Sequence, residues 1–310
     1  MTLPVRIATR GSPLALAQAH EVRDRLRAAH AALAAEDAIV ITPYSTTGDR
    51  IQSRPLADIG GKGLFTKEIE EALLDGRADV AVHSMKDVPT ELPDGLVLDA
   101  LLPREDPRDA LISTVARSIA DLPMGARVGT ASLRRRALLL SARPDIRVES
   151  LRGNVGTRLR RIEEGDFDAT LLAVAGLNRL GIAPPSMTPI DTDDMLPATC
   201  QGAIGIECRA DDADTRHLLA ALNDRPTAIC VAAERAFLAA LDGSCRTPIA
   251  GLATLAGETV SFRGLIVRPD GSETLAAQRE AGAGDAALLG KALGDELRGR
   301  AGPGFFDDAA

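Results

Sequence analysis

GTASLRRRALLL (129–140) and SLRGNVGTRLRR (150–161) each predict the end of a β-strand that turns directly into the first turn of a helix. Both segments place arginines beside glycine, serine and threonine at this turn. Free backbone N–H groups and the helix dipole favour an anion at such a position. The two segments therefore predict a fold of alternating strands and helices that binds anions at its strand ends.

The arginines are concentrated in one part of the chain. Residues 127–161 include ten arginines, no lysine and only two acids, although the net charge of the protein is −8. A planar, permanently charged guanidinium suits bidentate contact with carboxylates or phosphates. We interpret some of these side chains as a solvated helix face, namely Arg136, Arg143, Arg160 and Arg161. Turn glycines and hydroxyl residues favour an anion site for the others, namely Arg134, Arg135, Arg152 and Arg158.

Composition restricts the class of ligand. A chain of 310 residues with 45% apolar and 26% charged residues predicts two or three globular domains. Its acidity, its single tyrosine and its lack of tryptophan argue against nucleic-acid binding. We expect no membrane span and no signal peptide, because the sequence has no stretch of 18 apolar residues and its N-terminus lacks an apolar region. The four cysteines show no CxxC spacing, so we expect no metal site and a reducing, cytoplasmic location.

The first two thirds of the chain alternate between strand and helix patterns. A strand at 5–9 precedes Ser12 and Pro13, which predict the start of a helix running to about residue 35. Residues 46–63 are rich in glycine and predict a long mobile loop. Further strands are predicted at 39–45, 78–82, 96–102, 110–113, 127–130, 147–151, 169–174 and 203–208. Further helices are predicted at 65–74 and 212–222. This alternation predicts mostly parallel sheets.

The last ninety residues have a different pattern. A helix at 227–241, strands at 247–256, 258–267 and 273–280, and a helix at 285–299 predict a small α+β domain. Chain crossings near residues 103 and 198 predict two α/β lobes around a cleft. We therefore expect a first lobe of residues 1–102 and 200–222, a second of 103–199, and a C-terminal domain of 223–310. This organisation fits either a small-anion binding module or an enzyme that acts on a polycarboxylate.

The segment VHSMKDVP (82–89) distinguishes these two classes. His83, Ser84, Lys86 and Asp87 crowd together at the end of an apolar strand. A carboxylate beside a lysine in a cleft can stabilise a cation or move a proton. On spacing alone, a turn capped by Asp87 explains the pattern equally well, and a lone histidine such as His83 is more often a buried core residue than a catalyst.

Several long segments together resemble the porphobilinogen deaminase family, also called hydroxymethylbilane synthases. They run in order along the whole chain: RIATRGSPLALAQAH (6–20), GGKGLFTKEIE (60–70), HSMKDVP (83–89), GTASLRRR (129–136), LRGNVGTRLRR (151–161), CQGAIGIECR (200–209) and LDGSCRTPIA (241–250). The resemblance implies an α/β fold with two periplasmic-binding-protein-like lobes, mixed and mostly parallel sheets, and a small α+β C-terminal domain that carries a cofactor cysteine.

The resemblance also implies a reaction. Four molecules of porphobilinogen, each with an acetate and a propionate arm, join head to tail with loss of ammonia. The product is 1-hydroxymethylbilane, a precursor of haem and related tetrapyrroles. A transferase of this kind uses a dipyrromethane cofactor, bound through a thioether, as its primer. A growing chain with so many carboxylates would account for an arginine-rich cleft in an acidic protein. By analogy we expect a monomer that binds neither a metal nor a nucleotide.

The matching motifs assign roles to individual residues. Asp87 is the expected catalytic carboxylate, and Cys245 is the expected attachment site. Cofactor contacts are expected from Ser84, Lys86, Thr130, Ser132, Arg134, Arg135, Arg158 and, more weakly, Asp49. Substrate contacts are expected from Arg10, Ser12, Lys62, Arg152, Asn154, Arg179 and Gln201. Asp58 stands where some members have a lysine, so no anion contact is expected there.

The sequence also predicts the environment of the other three cysteines. Cys208 and Cys230 lie in apolar sequence and are expected in the core, whereas Cys200 stands where many family members have glycine. A binding or regulatory module that shares the lobes but has lost the chemistry is the competing class. Loss of Asp87 or of Cys245 would favour that class, and both residues are present.

Overall fold

The computed structural model describes residues 4–50, 63–243 and 247–307. The first half of the chain forms, in order, β1 (Val5–Arg10), α1 (Pro13–Ala29), β2 (Ile39–Tyr44), α2 (Thr47–Arg50), α3 (Lys67–Leu74), β3 (Val80–Ser84), β4 (Leu96–Leu101), β5 (Asp109–Ser113), β6 (Arg127–Gly129), α4 (Leu133–Ala142), β7 (Arg147–Glu149) and α5 (Val155–Glu163). The second half forms β8 (Ala169–Ala173), α6 (Val174–Arg179), β9 (Met187–Pro189), β10 (Ile204–Arg209), α7 (Ala213–Ala220), α8 (Arg225–Ala240), β11 (Ile249–Ala256), β12 (Thr259–Val267), β13 (Thr274–Gly282) and α9 (Ala286–Ala301).

The described residues form two compact units. The first comprises residues 4–50, 63–105 and 202–228, and the second comprises 106–201, 229–243 and 247–307. The first unit has a five-stranded sheet with the strand order β2-β1-β3-β10-β4. Strand β1 is parallel to β2 and β3, whereas β10 is antiparallel to both of its neighbours, β3 and β4. Four of the five strands therefore run in one direction.

Helices cover both faces of this first sheet. On one face, α1 contributes Val22 and Leu26 to a core completed by Leu219 of α7. On the other face, α3 contributes Ile69 and Leu73. Helix α1 begins as predicted, with Pro13 as its first residue and the Ser12 side chain accepting a hydrogen bond from the Ala15 amide.

The second unit contains a five-stranded sheet of the same design. Its strand order is β7-β6-β8-β5-β9, with β6 parallel to β7 and β8, and β5 antiparallel to β8 and β9. Leu139 of α4 packs on one face of this sheet, and Ile162 of α5 and Leu177 of α6 pack on the other. The predicted mixed, mostly parallel sheets are confirmed, since one strand in each sheet is reversed.

The C-terminal part of the second unit is the predicted small α+β domain. Strands β11, β12 and β13 form an antiparallel sheet in that order. Helices α8 and α9 pack against it, and the rings of Phe237 and Phe262 meet edge to face with their centroids 5.0 Å apart. The three domain boundaries expected from the sequence stay a prediction.

Three local predictions were wrong. Helix α1 ends at Ala29 rather than near residue 35, because the chain then turns to bury Leu33 in the core. Strand β3 continues through His83 and Ser84, because His83 finds a buried partner on β10. Residues 47–50, expected in a loop, form the short helix α2. None of the helices within the described residues has both the length and the apolar character needed to cross a lipid bilayer.

Candidate functional site

The cavity in the first unit lies beside the ends of β1 and β3. Five residues predicted from the sequence line it, namely Arg10, Ser12, Ser84, Lys86 and Asp87. Arg10 is the last residue of β1, and Ser84 is the last residue of β3. A short 3₁₀ turn, Met85–Asp87, then brings Lys86 and Asp87 to the cavity. Parallel strands end at the same edge of a sheet, which is why Arg10 and Ser84, 74 positions apart in sequence, meet here.

Arg10 connects Asp87, which lines this cavity, to a second carboxylate, Asp49. Its Nε donates to Asp49 Oδ2 over 3.2 Å, and its Nη1 lies 3.7 Å from Asp87 Oδ2. Asp49 is also held by the Thr46 hydroxyl, which donates to Oδ2 over 2.7 Å. Although burial alone would lower the pKa of Arg10, its hydrogen bond to Asp49 and the charge of Asp87 raise it. Arg10 therefore stays charged beside Asp87.

Phe65 covers the Arg10 guanidinium. The Arg10 Cζ atom lies 4.2 Å from the centre of the Phe65 ring, which is a cation–π contact. Gly48 permits this position of the ring, because a Cβ atom on Gly48 would lie 2.2 Å from Phe65 Cε1. The residue types and spacing gave no reason to select Phe65 before the structure placed it in the cavity.

Two predicted hydroxyl contacts are already hydrogen-bonded within the first unit. Ser84 Oγ lies 2.9 Å from Gln18 Nε2, and Gln18 is buried. Ser12 Oγ accepts from the Ala15 amide as the N-cap of α1, over 3.3 Å. Both hydroxyls still line the cavity. A ligand would therefore meet groups that the fold has already oriented.

His83 is the buried, hydrogen-bonded histidine that its isolated position in the sequence favoured. Its Nε2 lies 3.0 Å from Glu207 Oε2, and the two side chains are 3% and 0% exposed. The residue also lines the cavity. Glu207 was not among the residues selected from the sequence, although an acid within the apolar strand IGIEC was a signal that could have identified it.

In the second unit, the structure gives Arg134 and Arg135 a different environment from the one predicted. Both side chains are buried and share one carboxylate, Asp109, at 2.6 Å and 2.7 Å. Gln201 Nε2 donates to the same carboxylate over 2.9 Å. Burial alone would raise the pKa of Asp109, but the two arginines hold it well below its usual range.

Arg134 and Arg135 therefore each have an internal partner, and their expected contacts with cofactor carboxylates stay a prediction. An internal acid fixes both guanidinium groups, and it lies 25 residues before Arg134 in sequence. Arg134 also donates to the Leu196 carbonyl, and Arg135 to the Leu171 carbonyl. The Nε atoms of both arginines have no hydrogen-bond partner within the described residues. Two cations on one anion leave a surplus of positive charge.

Arg158 belongs to the same positive region. Burial, together with the charges of Arg135 and Arg152, lowers the pKa of Arg158 to about 10. Its Nε donates to the Gly153 carbonyl over 2.9 Å, which holds the side chain in place. Three guanidinium groups that repel one another are stabilised by an incoming anion. This cluster, Arg135, Arg152 and Arg158, is the arrangement in the second unit that best suits a carboxylate ligand.

Two of the predicted contacts of the second unit, Ser132 and Asn154, act as helix caps. Ser132 accepts from the Arg135 amide at the start of α4, and Asn154 accepts from the Thr157 amide at the start of α5. Thr130 Oγ1 accepts from the Ser132 amide over 3.2 Å. These residues build the strand-to-helix turns that position the arginines.

The remaining predicted residues differ in how exposed they are and in their hydrogen-bond partners. Arg179 ends α6 and is half-buried. Arg136, Arg160 and Arg161 are exposed, as predicted. Arg143 is not part of a solvated face, because it donates to the carbonyls of Ile119 and Ala120 and pairs with Asp145. Lys62, Cys245 and Asp58 lie outside the described residues.

Cys200 has an unusual backbone conformation. Its φ angle is 62°, in the left-handed region that favours glycine. The side chain is buried, and the backbone amide donates to the buried carboxylate of Glu234. Cys208 and Cys230 are buried as predicted. In the described parts of the chain, no group of three or more His, Cys, Asp or Glu side chains could hold a metal ion.

Two protein-family models match this chain. The family model described as "Porphobilinogen deaminase, dipyromethane cofactor binding domain" matches residues 5–217. The model described as "Porphobilinogen deaminase, C-terminal domain" matches residues 228–299. The two matches together cover both five-stranded sheets and the C-terminal domain.

Curated relatives are similar over almost their whole length. The chain is 59% identical to porphobilinogen deaminase of Paracoccus denitrificans, over 98% of this chain and 96% of the relative. It is 59% identical to that of Nitrobacter winogradskyi, over 97% and 94%. It is 56% identical to the chloroplastic protein of Oryza sativa, over 98% and 86%.

Solved structures are more distantly similar. The match to a putative methionine-binding lipoprotein of Bacillus subtilis spans 72% of this chain and 91% of the lipoprotein chain. The sequence identity is 15% and the TM-score is 0.43. The match to the periplasmic aliphatic sulphonate binding protein SsuA of Escherichia coli spans 77% of this chain and 70% of the SsuA chain. The sequence identity is 16% and the TM-score is 0.40.

Proposed function

The chain belongs to the porphobilinogen deaminase family, and from this premise we propose the roles of its individual residues. The reaction is the stepwise, head-to-tail joining of four porphobilinogen molecules with release of ammonia. It is a transferase reaction, hydroxymethylbilane synthesis. The single observation that carries the proposal is the placement of Asp87 beside Arg10 in a cavity at the strand ends.

Dipyrromethane, bound through a thioether to Cys245, is the proposed primer. When bound, it supplies a free pyrrole α-carbon as the acceptor for each new ring. The residues of the second unit fit such a group, because Arg135, Arg152 and Arg158 form a cationic cluster and the Nε of Arg135 lacks a partner within the described residues. Carboxylate arms are the ligands that such a cluster favours.

Asp87 is the proposed catalytic carboxylate. Loss of ammonia from porphobilinogen leaves a cationic azafulvene, and the negative charge of Asp87 stabilises this developing cation. Arg10 Nη1 lies 3.7 Å from Asp87 Oδ2, so the carboxylate is held beside a cation before the azafulvene develops. The carboxylate can also accept the proton that the attacking pyrrole α-carbon loses once the new C–C bond has formed.

Cationic and hydroxyl groups around Asp87 are proposed to hold the carboxylate arms. Lys86 and Ser84 flank the catalytic turn, and Arg10 and Ser12 lie at the first strand-to-helix turn. Asp49 acts on ligands indirectly, by fixing the Arg10 guanidinium through a hydrogen bond of 3.2 Å. Oriented cations of this kind bind substrate and keep water from competing for the same groups.

The other proposed contacts belong to the second unit and to residues that the structure does not describe. Arg152, Asn154, Arg158 and Arg179 are proposed for substrate or cofactor carboxylates, as is Lys62. Thr130 and Ser132 act by forming the turn before α4. Arg134 and Gln201 act by fixing Arg135 and Asp109.

Location and assembly are further parts of the proposal. A cytoplasmic location is supported by the sequence pattern of the cysteines, because structural disulfides are rare in a reducing compartment. A monomer is supported by analogy with the family. The domains proposed are residues 1–102 with 200–222, residues 103–199, and residues 223–310.

Mass spectrometry of the purified chain tests the attachment. The intact mass should exceed the sequence mass by one dipyrromethane, on a peptide that contains Cys245, and Cys245→Ser should remove both this mass and the activity. An acidic aldehyde reagent for pyrroles should colour the wild-type protein only. A modified peptide containing Cys200 would contradict the assignment, and an unmodified, inactive wild-type chain would favour a binding module.

A further inference from the structure

The turn between β12 and β13 packs against the last turn of helix α4, and both belong to the second unit. A Cβ atom on Gly271 would lie 2.6 Å from the Ser141 amide nitrogen and 2.8 Å from the Leu140 carbonyl carbon. These are backbone atoms, which cannot rotate away as the end of a side chain can. Gly271 also has a φ angle of 79°, in the left-handed region. Glycine is therefore required here both by the backbone conformation and by the close approach to α4.

Hydrogen bonds hold this turn in one shape. The Arg268 amide donates to the Glu273 carbonyl over 2.9 Å, and the Gly271 amide donates to the Arg268 carbonyl over 2.8 Å. Asp270 Oδ1 accepts from the amide and the hydroxyl of Ser272, over 3.0 Å and 2.7 Å. A side chain at position 271 would therefore displace α4 or the whole turn, rather than one flexible group.

Two further contacts join α4 to the C-terminal sheet. Ser141 Oγ lies 3.3 Å from Oγ1 of Thr274, the first residue of β13. Leu138 packs on an apolar cluster that includes Ala250 and Leu252 of β11. Together with the approach of Gly271, these contacts fix the C-terminal half of α4 to the C-terminal domain.

The opposite end of α4 carries the arginines. Arg134 and Arg135 lie in its first turn and share the carboxylate of Asp109. Burial, followed by the charge of Arg135, lowers the pKa of Arg158, so these two guanidinium groups repel each other. Closely packed interiors transmit displacements rather than absorb them. A shift of the last turn of this ten-residue helix therefore reaches the arginines of its first turn.

We propose that Gly271 is a positioning residue, which sets the place of the cationic cluster around Arg135 relative to the domain that carries Cys245. This inference rests on the proposed function, in which the primer is bound covalently to that domain and through its carboxylates to the cluster. A ligand held at both ends tolerates little change in the distance between its two supports. The packing of the β12–β13 turn on α4 therefore controls how well the primer is assembled and aligned.

A second glycine provides a matched control. Gly257 lies in the other hairpin turn of the same sheet, between β11 and β12, with a φ angle of 60°. Among the described residues, nothing beyond its own chain neighbours lies within 4 Å of where its Cβ atom would be. Alanine at either position has the cost of a left-handed backbone. Only Gly271→Ala also forces α4 and the turn apart.

Primer occupancy and turnover test the proposal. Intact mass should show less primer on purified Gly271→Ala than on the wild type, and kcat per loaded chain should fall on the order of 10- to 100-fold. KM should change less than kcat, because Arg10 and Ser12, which are proposed to bind substrate, belong to the first unit. Gly257→Ala should match the wild type in occupancy and in kcat. Equal values for the two alanine variants, or a loss confined to KM, would overturn the proposal.

A third variant separates positioning from stability. Val260 is fully buried in the core of the same domain, on β12. Val260→Ala should lower the melting temperature but keep full occupancy and turnover at temperatures where it is folded. Primer loss in Val260→Ala equal to that in Gly271→Ala would show that loading only follows stability, and would overturn the proposal. If Gly271→Ala does not fold, Leu138→Ala replaces it, and full occupancy in that variant would be equally decisive against it.

A double-mutant cycle tests whether Gly271 acts through the arginines. The single variants Gly271→Ala and Arg158→Lys are compared with the double variant in kcat per loaded chain. If both changes act on the cationic cluster, the double variant should lose less than the product of the two single losses. Gly257→Ala combined with Arg158→Lys should lose only what Arg158→Lys loses. A full product of losses for Gly271→Ala would contradict action through the cluster.

Failure of the proposed function would give a different result. A wild-type chain without dipyrromethane would remove that function, whereas thermal unfolding in the Cys245→Ser background reports on the packing alone. There, Gly271→Ala should melt at a lower temperature than Gly257→Ala, because only its new Cβ atom meets the backbone of α4. Equal melting temperatures would show that the turn does not hold α4, whatever the chain carries on Cys245.

Discussion

The Arg135 guanidinium donates to Asp109 over 2.7 Å inside the second unit, where the two side chains are 7% and 0% exposed. Asp109 begins β5, and Arg135 lies in the first turn of α4. The acid thus connects strand β5 to the arginine-rich helix α4. One carboxylate that holds two arginines sets both the stability of this region and the number of positive charges left for a ligand.

Asp109→Asn should be among the most destabilising changes in the second unit. Removing this charge leaves Arg134 and Arg135 buried without a counter-ion, which typically costs about 3–5 kcal/mol. Urea unfolding of the primer-free protein measures the effect. Asp145→Asn is the matched control, because Asp145 is 34% exposed where it pairs with Arg143, so its loss should change the unfolding midpoint less. Equal midpoints for the two variants would contradict this account of Asp109.

The ion pair between Asp109 and Arg135 also predicts how the stability of the protein changes at low pH. The folded-state pKa of Asp109 is depressed, so its stabilising contribution is complete above the unfolded value of about 3.9 and is lost as pH falls below it. Between pH 5 and pH 2, the stability of the wild type should therefore fall more steeply than that of Asp109→Asn. Unfolding followed by circular dichroism at a series of pH values checks this, and parallel curves would disagree with it.

Asp87→Asn should leave the protein folded and slow every ring addition. Loss of one electrostatic stabiliser of a charged transition state costs about 3–4 kcal/mol, a factor of several hundred in kcat. Asp87→Glu should keep more activity, because the charge survives although it is displaced. Single-turnover mixing with limiting porphobilinogen, followed by mass spectrometry, measures each addition. Near wild-type turnover by Asp87→Asn would rule out the assigned role.

Arg158→Leu should stabilise the primer-free protein but impair primer assembly. In the primer-free Cys245→Ser background, leucine removes a cation that Arg135 and Arg152 repel, so unfolding should become harder by roughly 1 kcal/mol. In the chain that keeps Cys245, the same change should impair primer assembly, and Arg158→Lys should restore it only partly. Arg160→Leu is the control, since Arg160 is 65% exposed on the same helix. Primer loading in Arg158→Leu equal to that of Arg160→Leu would contradict the role of this cluster.

The arginines should also differ by stage of the reaction. Leucine at Arg10, Arg152 or Arg179 should leave the primer in place, while intermediates with one to three added rings accumulate unevenly. Leucine at Arg134 or Arg135 should reduce primer loading, partly because the Asp109 pairs are lost. Mass spectrometry after limiting substrate distinguishes these patterns. One uniform slowing in all five variants, with no stalled species, would show that the sites do not divide the work.

Cys200→Gly should be tolerated better than Cys200→Val. The φ angle of 62° costs an L-residue roughly 1–2 kcal/mol, and a β-branched residue is the least suited to it. Glycine removes this cost, although it also removes a buried sulfur. Thermal unfolding of both variants, with primer loading as a control for folding, should place valine well below glycine. The reverse order would show that packing of the thiol dominates.

Most of the fold could be predicted from local patterns. Glycine and proline marked turns, Ser12-Pro13 marked the start of α1, and apolar runs marked the buried strands. The errors arose where a distant contact overrode the local pattern. His83 should have ended a buried strand, yet β3 continues because Glu207 on β10 accepts its polar ring.

The site was harder to predict, for the same physical reason. The motifs selected Arg10, Ser84, Lys86 and Asp87, and the structure brings these four to one cavity. Sequence spacing could not show that Asp109 pairs with both Arg134 and Arg135, because the acid and the arginines are on different elements. Counting charges along the chain therefore overestimated how many guanidinium groups are open to a ligand.

The strand order of the first sheet has a consequence for how the protein is made. Strand β4 hydrogen-bonds to β10 and lies at the edge of the sheet, so it has no sheet partner until residues 204–209 leave the ribosome. The second sheet, by contrast, has all of its strands once residue 189 has emerged. The nascent chain must therefore carry the strand that bears His83 with an open edge while a later segment completes its own sheet. Such an edge is a site of mispairing and a natural place for a chaperone to act during synthesis.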